Sequence, residues 1–444
     1  MKTLITQARL INEGNLFEGD LLIDGGRIQR IASQITADAS MQVVDGRGRY
    51  LIPGMIDDQV HFREPGLTHK GDLASESLAA VMGGITSFME MPNCNPTTTH
   101  AEALTNKHLL AAQKSAANYG FYLGATNDNL IEIQRVNQNL ACGVKVFMGA
   151  STGNMLVDAP EVLEAIFRDC PILVATHCEN TPMIKAQEDI YRAQYGEDIP
   201  IELHPKIRSA EACYHSSSFA VQLAKKFETQ LHVLHLTSAK ELALFEAGPI
   251  QGKKITAEVC VHHAFFSEQD YERLGSQIKC NPAIKSLADR NALIAAVAND
   301  VIDVIATDHA PHTWEEKQNT YFKSPAGLPL VQHAVLCALE HVHAGRWSLP
   351  HLVRKISHNP ADLFKVADRG YLREGYWADL VLVDFNQPYR VTKENIRYKC
   401  GWSPFQDYEF RSSIAATWVN GILKVHDGQW LGDATPGQAL VFKR

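Results

Sequence analysis

The sequence contains no CxxC pair and no short cysteine framework among its nine cysteines. That excludes a disulfide-stapled scaffold and points to reduced thiols in a cytoplasmic protein. No window is apolar for long enough to span a bilayer, and the N-terminal MKTLITQARLINEGN loses its apolar character too early for a secretory signal. Basic residues are in deficit, with 42 Lys and Arg against 50 Asp and Glu and a formal charge of -8. A nucleic acid or an anionic membrane would want a clustered basic excess, so neither is an expected partner, and a small molecule is the expected substrate. Internal repeats and low-complexity segments are absent, as is the Gly-rich turn after a first strand that would mark an open, doubly wound nucleotide-binding sheet.

What the chain does have is 444 residues, 45% of them apolar, enough for one large core and a satellite. Residues 1–52 alternate or run apolar between Gly, Asp and Asn turn signals, with strands expected at 3–11, 19–23, 27–32 and 42–44. A matching set, GYLREGYWADLVLVD and ATWVNGILKVHDGQWL, lies in residues 369–444. The two ends are expected to fold together as a small β-sandwich domain. Between them, in residues 53–368, apolar runs at 55–62, 86–91, 120–125, 143–148, 171–177, 231–237, 254–262 and 301–308 alternate with helical patterns. Those helical patterns are at 101–118, 129–139, 160–169, 209–229, 239–247 and 287–298. Eight short strands buried on both faces predict an α/β fold, a closed (β/α)8 TIM-type barrel.

The chemistry gathers at the ends of these strands, beginning with LIPGMIDDQVHFREPG. Alternation there sends Gln59 and His61 to one face and Val60 and Phe62 to the other. The first strand ends in His61 and Arg63, the second in Asn93, and the fourth carries Lys145. The fifth ends in His177, the sixth in His235, the seventh in His262 and His263, and the eighth in Asp308, His309 and His312. Any one of these imidazoles alone reads as a hydrogen-bonded core histidine. Together at the C-terminal rim of a barrel these polar groups read as an active site, and His177 and His235, at the ends of apolar strands, have the form of Zn2+ ligands. Asp308 ends an apolar strand, where a carboxylate needs a cation or donor; beside a metal it could both bind and carry a proton. Lys145, between valines, is either neutral or modified, or its head reaches solvent along the strand. A polar stretch at 312–324 is expected to be a loop over the site.

In their order the pieces PGMIDDQVHFREPG, MPN, GVKVF, THCEN, HVLHLTS, KCNPAIK, ATDHAPH and GYLREGYWADLVLVD resemble the amidohydrolase superfamily and, within it, the type I dihydroorotases. The resemblance runs from residue 51 to 384, and the terminal modules fit it. It implies reversible, zinc-dependent interconversion of N-carbamoyl-L-aspartate and L-dihydroorotate in de novo pyrimidine (UMP) biosynthesis. His61, Lys145 carboxylated on its amine, His177, His235 and Asp308 would hold one or two Zn2+, and Asp308 would be catalytic. Arg63, Asn93 and His312 would bind the substrate carboxylate; Asn281 and the backbone at Ala326 and Gly327 would contact the ring. A homodimer and association with aspartate transcarbamoylase are partners the resemblance allows.

The sequence departs from the pattern at Gln59, where the family has a histidine, and at Ala283 and Lys285, where Pro and Arg are common. Gln59 leaves three outcomes open: a binuclear site with a weaker ligand, a mononuclear site, or impaired chemistry. GVKVF and GASTGNML are equally at home in hydantoinases and allantoinases, whereas Arg63 favours a substrate bearing a carboxylate. A non-catalytic homologue supporting aspartate transcarbamoylase is a further alternative.

Overall fold

The computed structural model describes residues 2–151 and 153–444; Met1, and Thr152 within GASTGNML, lie outside them. Five strands come first: β1 (Lys2–Asn12), β2 (Asn15–Asp24), β3 (Arg27–Ala32), β4 (Met41–Asp45) and β5 (Tyr50–Pro53). Eight more make the barrel: β6 (Met55–Val60), β7 (Ile85–Glu90), β8 (Asn118–Gly124), β9 (Ala141–Phe147), β10 (Val174–His177), β11 (Leu231–Val233), β12 (Ile255–Cys260) and β13 (Val304–Ala306). They pair in chain order, all parallel, from β6 to β13. The ring closes where Val60 bridges His309 and His61 N donates to His309 O at 2.7 Å. Each expected strand is present, several of them shorter than the apolar run that announced it.

Burial explains the composition of these strands, because every residue of β9, ACGVKVF, is buried. A strand covered on both faces by sheet interior and helices reads as a continuous apolar run. Helices start where side chains satisfy their free N–H groups: Ser209 caps Ala210–Phe227 by accepting from Ala212 N, and Ser286 caps Leu287–Ala298 by accepting from Asp289 N. The expected helix at 239–247 is only a 3-10 turn, Glu241–Leu244. Among the longer helices without an expectation are Leu73–Met82, Thr181–Tyr195 and Ala334–His343.

The terminal segments join, as expected, in one mostly antiparallel β unit with its own core, in which Ile5 and Leu21 pack with Leu380 and Trp418. To β1–β5 it adds β14 (Leu380–Asp384), and then, beyond the small pair β15 (Tyr389–Arg390) and β16 (Glu409–Phe410), strands β17 (Ser413–Val419), β18 (Ile422–His426) and β19 (Gln429–Trp430). The seam is β5 against β14, antiparallel, with Leu51 opposite Leu382. Ile56, Cys142, Leu173 and Val304, all near the starts of barrel strands, pack with Phe364, Leu440 and Phe442 into an apolar floor. The floor closes the N-terminal end of the barrel and leaves the opposite rim for chemistry. Among the described residues, no helix is long and apolar enough to cross a membrane.

The segment 312–324 is tied down. It carries a short helix, Trp314–Lys317, begun by a reciprocal cap between Thr313 and Glu316. Lys317, fully buried, donates to the carbonyls of Lys279, Pro325 and Gly327 at 3.1, 2.9 and 3.0 Å.

Candidate functional site

Three residues at the rim hold left-handed backbone although none is glycine: Arg63 at φ 71°, His235 at φ 38° and Asp308 at φ 50°. Each such residue costs about 1–3 kcal/mol and is kept only where the surrounding structure demands it. All three are candidate site residues from the sequence.

The strand-end residues meet in three groups. In the first, His61 Nε2 lies 3.0 Å from Asp308 Oδ1, Gln59 Nε2 donates to the same oxygen at 3.1 Å, and His61 Nδ1 lies 2.7 Å from Asn93 Oδ1. The Asn93 carbonyl takes the Nδ1 hydrogen, which leaves the His61 Nε2 lone pair turned toward Asp308. In the second group, His177 Nδ1 and His235 Nε2 are 2.9 Å apart. His177 Nε2 donates to Glu179 Oε2 at 2.9 Å, and that carboxylate also accepts from Arg208 Nη1 at 2.6 Å.

Lys145 stands among these groups, 1% exposed, so its head does not reach solvent. It pairs across the sheet with Gly124 and Ala175. Burial pulls its ammonium down to about 8, against the pull of the Asp308 and Glu258 carboxylates. Its charge is felt by His61, His177 and His235 alike.

The third group is cationic. Arg63 donates through Nε to Pro311 O at 3.0 Å, and its Nη2 lies 3.0 Å from His312 Nε2. Lys70 Nζ reaches His312 Nδ1 at 3.0 Å, so Nε2 carries the hydrogen and donates to Ala326 O at 3.0 Å. Burial first, then Arg63 and Lys70, push His312 well below the usual histidine range and keep it neutral. Gly327 sits at φ 142°, and a Cβ there would meet Ala310 O at 2.4 Å, so the backbone beside His312 admits only glycine. Asn281 Oδ1 is buried without a partner; it joins none of the three groups by a hydrogen bond.

The donor set fits a divalent cation. Burial holds His61 and His177 below the usual histidine range and His235 well below it, so all three present lone pairs, and His235 Nδ1 has no partner. With the Asp308 carboxylate beside His61, these residues offer the N and O donor types that zinc favours. The other strand-end histidines do different work. His309 is neutral and structural, donating through Nε2 to Glu76 and accepting from Leu330 N through Nδ1. His262 and His263 sit in a short helix, Val261–Phe265, not at the strand end. Glu179, Arg208 and Lys70 were not singled out by sequence. Glu179 lies in THCEN two residues beyond His177, the one signal that could have found it.

Comparison with known proteins came out as follows. The family described as "Amidohydrolase family" matches residues 50–424. A dihydroorotase of Staphylococcus epidermidis is 31% identical, covering 94% of this chain and 98% of its own. An allantoinase of Bacillus velezensis is 29% identical over 96% of this chain and 94% of its own. Among solved structures, an L-hydantoinase (dihydropyrimidinase) from Arthrobacter aurescens superposes with a TM-score of 0.93 at 26% identity, covering 99% of both chains.

Proposed function

Because the chain belongs to the amidohydrolase family, we propose that this metal-dependent cyclic amide hydrolase is a zinc dihydroorotase, interconverting N-carbamoyl-L-aspartate and L-dihydroorotate in pyrimidine synthesis. His61, His177, His235, Asp308 and Lys145 would hold the metal. When bound, the metal supplies Lewis acidity to the ring amide carbonyl. Everything else is the work of the chain.

The observation that carries this reading is the cluster of Arg63, Lys70 and His312 at the rim, beside the His61–Asp308 pair. A guanidinium grips a carboxylate through two parallel hydrogen bonds, and dihydroorotate bears a carboxylate that allantoin and hydantoin lack. Arg63 and His312 would take the two oxygens, with the Asn93 amide as a third donor. The Asn281 carbonyl, buried and unpaired, would accept from a ring N–H, and the backbone at Ala326 and Gly327 would line the opposite edge.

Asp308 would move the proton. Its Oδ1 already faces two groups, His61 and Gln59, which fixes the carboxylate at the rim. In ring opening water would add to the ring amide carbonyl as the C–N bond breaks, and Asp308 would take the water's proton and hand it to the departing nitrogen; in ring closure it would take a proton from the attacking nitrogen and return it to the departing water. Lys145, with its amine held toward the neutral form by burial, is suited to take up CO2 as a carbamate and so add a carboxylate to the donor set.

The test is to assay the metal-loaded chain with dihydroorotate, allantoin and hydantoin side by side. Turnover of dihydroorotate well above the other two supports the reading. The high structural similarity to an L-hydantoinase makes faster hydantoin turnover the outcome that would replace it.

A further inference from the structure

Beneath the rim lies a second set of donors that the proposed reaction does not use. Asp58 on β6, His232 on β11 and Glu258 on β12 are each 0% exposed. Asp58 Oδ2 lies 3.2 Å and Glu258 Oε2 3.6 Å from His232 Nε2. Yet four atoms, Asp58 Oδ1, Asp58 Oδ2, His232 Nε2 and Glu258 Oε2, make no hydrogen bond. One ligand atom from each of the three residues falls within 4.8 Å of the others. Atoms this close that still do not align as donor and acceptor are converging on a shared point.

The other polar atoms of the group are committed elsewhere. Thr256 Oγ1 donates to Leu231 O at 3.2 Å and so accepts from His232 Nδ1 at 2.8 Å. That puts a hydrogen on Nδ1; burial lowers the His232 imidazole, but Asp58 and Glu258 outweigh it and raise it to about 9, so Nε2 presents a lone pair to them only when a bound cation takes the place of its proton. Glu258 Oε1 accepts from His235 N at 3.0 Å and from the Cys260 thiol at 3.4 Å, which leaves Oε2 pointing inward. Below, the Phe364 ring meets His232 edge to face at 6.0 Å, and Tyr122 OH donates to Asp58 O at 3.0 Å. The three side chains are fully buried, and the two carboxylates need a compensating positive charge, which either a proton on His232 or a bound cation supplies.

We propose that Asp58, His232 and Glu258 form a second divalent-cation site, sealed inside the barrel and separate from the rim site of His61, His177, His235 and Asp308. Carboxylate oxygens from Asp58 and Glu258 and the imidazole nitrogen of His232 are N and O donors of the types zinc binds. The sixth and seventh strands would be joined to the first through the cation. Glu258, braced on one oxygen, would hold the His235 backbone in its left-handed turn with the other. This site rests on its own donors and does not depend on which cyclic amide the rim hydrolyses.

The experiment counts metal. Purified wild type and Asp58→Asn are each measured by elemental analysis, then stripped with dipicolinate, dialysed into metal-free buffer, reloaded with zinc alone and measured again. The wild type is expected to hold about one zinc per chain more than the variant at saturation, and to keep that equivalent through stripping until it is unfolded in guanidinium. Equal zinc contents in the two folded proteins would overturn the proposal and assign the compensating charge to a proton. Should Asp58→Asn fail to fold, Glu258→Gln measured in the same way gives the same count. Because the equivalent is counted whether or not dihydroorotate is turned over, an inactive protein would refute the dihydroorotase reading and leave this one standing.

Discussion

Gln59 donates its side-chain amide to Asp308 Oδ1, the oxygen that His61 Nε2 also approaches, while its own carbonyl faces the Cys260 thiol at 3.8 Å. The residue standing where the family has a histidine therefore acts as a hydrogen-bond donor to the carboxylate. An amide turned this way offers Asp308 a proton and offers a metal nothing. Of the outcomes left open by the sequence, this orientation favours a rim site with a single metal.

Gln59→His should accordingly raise the metal content of the rim. An imidazole in this place adds a lone-pair donor next to His61 and Asp308. Elemental analysis is expected to show about one more chelator-labile zinc per chain than in wild type. An unchanged content would mean that the strand-end backbone, not the amide, limits the site.

Asp308→Ala should abolish turnover while leaving the barrel folded. In the proposed reaction the change removes a ligand and the proton carrier together, and general acid–base contributions alone reach about 10²–10⁴-fold. Circular dichroism and thermal unfolding would report an intact fold beside a loss of at least that size. Near-normal turnover would remove Asp308 from the mechanism.

Glu179→Gln tests the support beneath His177. Burial opposes a charge on Glu179, but Arg208 and His177 outweigh it and hold the carboxyl down at about 2. The ionised group fixes the His177 ring with Nδ1 facing His235. Loss of such a partner weakens metal binding by roughly 10–100-fold. Competition with a fluorescent zinc chelator would measure it, and an affinity equal to wild type would make Glu179 a purely structural acid.

Lys145 gives a pH signature in the metal-stripped protein. Its folded value of about 8 lies below the roughly 10.4 of an unfolded lysine. Between those pH values the unfolded chain carries a proton that the folded chain has released, so stability rises with pH across the window. The total gain over Lys145→Met is about 3 kcal/mol, absent below pH 8 and complete above the unfolded value. Urea unfolding of both proteins from pH 7.5 to 10.5 would show the two curves diverging; parallel curves would contradict a buried, readily neutralised amine. Partial recovery of Lys145→Ala activity by short carboxylic acids would mark a carbamate as the missing group.

The barrel was legible because strands buried on both faces must be apolar throughout, and their polar terminal residues then stand out. His61, His177, His235 and Asp308 are visible for that reason. The partners that orient them are not. Arg208 reaches Glu179 from 29 residues away and Gln59 reaches Asp308 from 249 away, and nothing local marks such pairs. Asp58 escapes the alternation rule because β6 shifts register between Asp57 and Val60, which turns both Asp58 and Gln59 toward the barrel interior. The segment 312–324 looked like a free loop because its anchor, Lys317, is satisfied by three backbone carbonyls, which carry no sequence signature.

In the proposed reaction Arg63 grips the substrate carboxylate, so the most direct measurement is kcat/KM for dihydroorotate in wild type and Arg63→Gln, with the zinc content of both determined on the same samples. A buried guanidinium paired with a substrate carboxylate is worth about 2–5 kcal/mol when one partner is truncated. A loss of roughly 30-fold to several thousandfold, with zinc retained, is the expected result. Equal kcat/KM in the two proteins, or no dihydroorotate turnover by zinc-loaded wild type, would contradict a dihydroorotase built on this site.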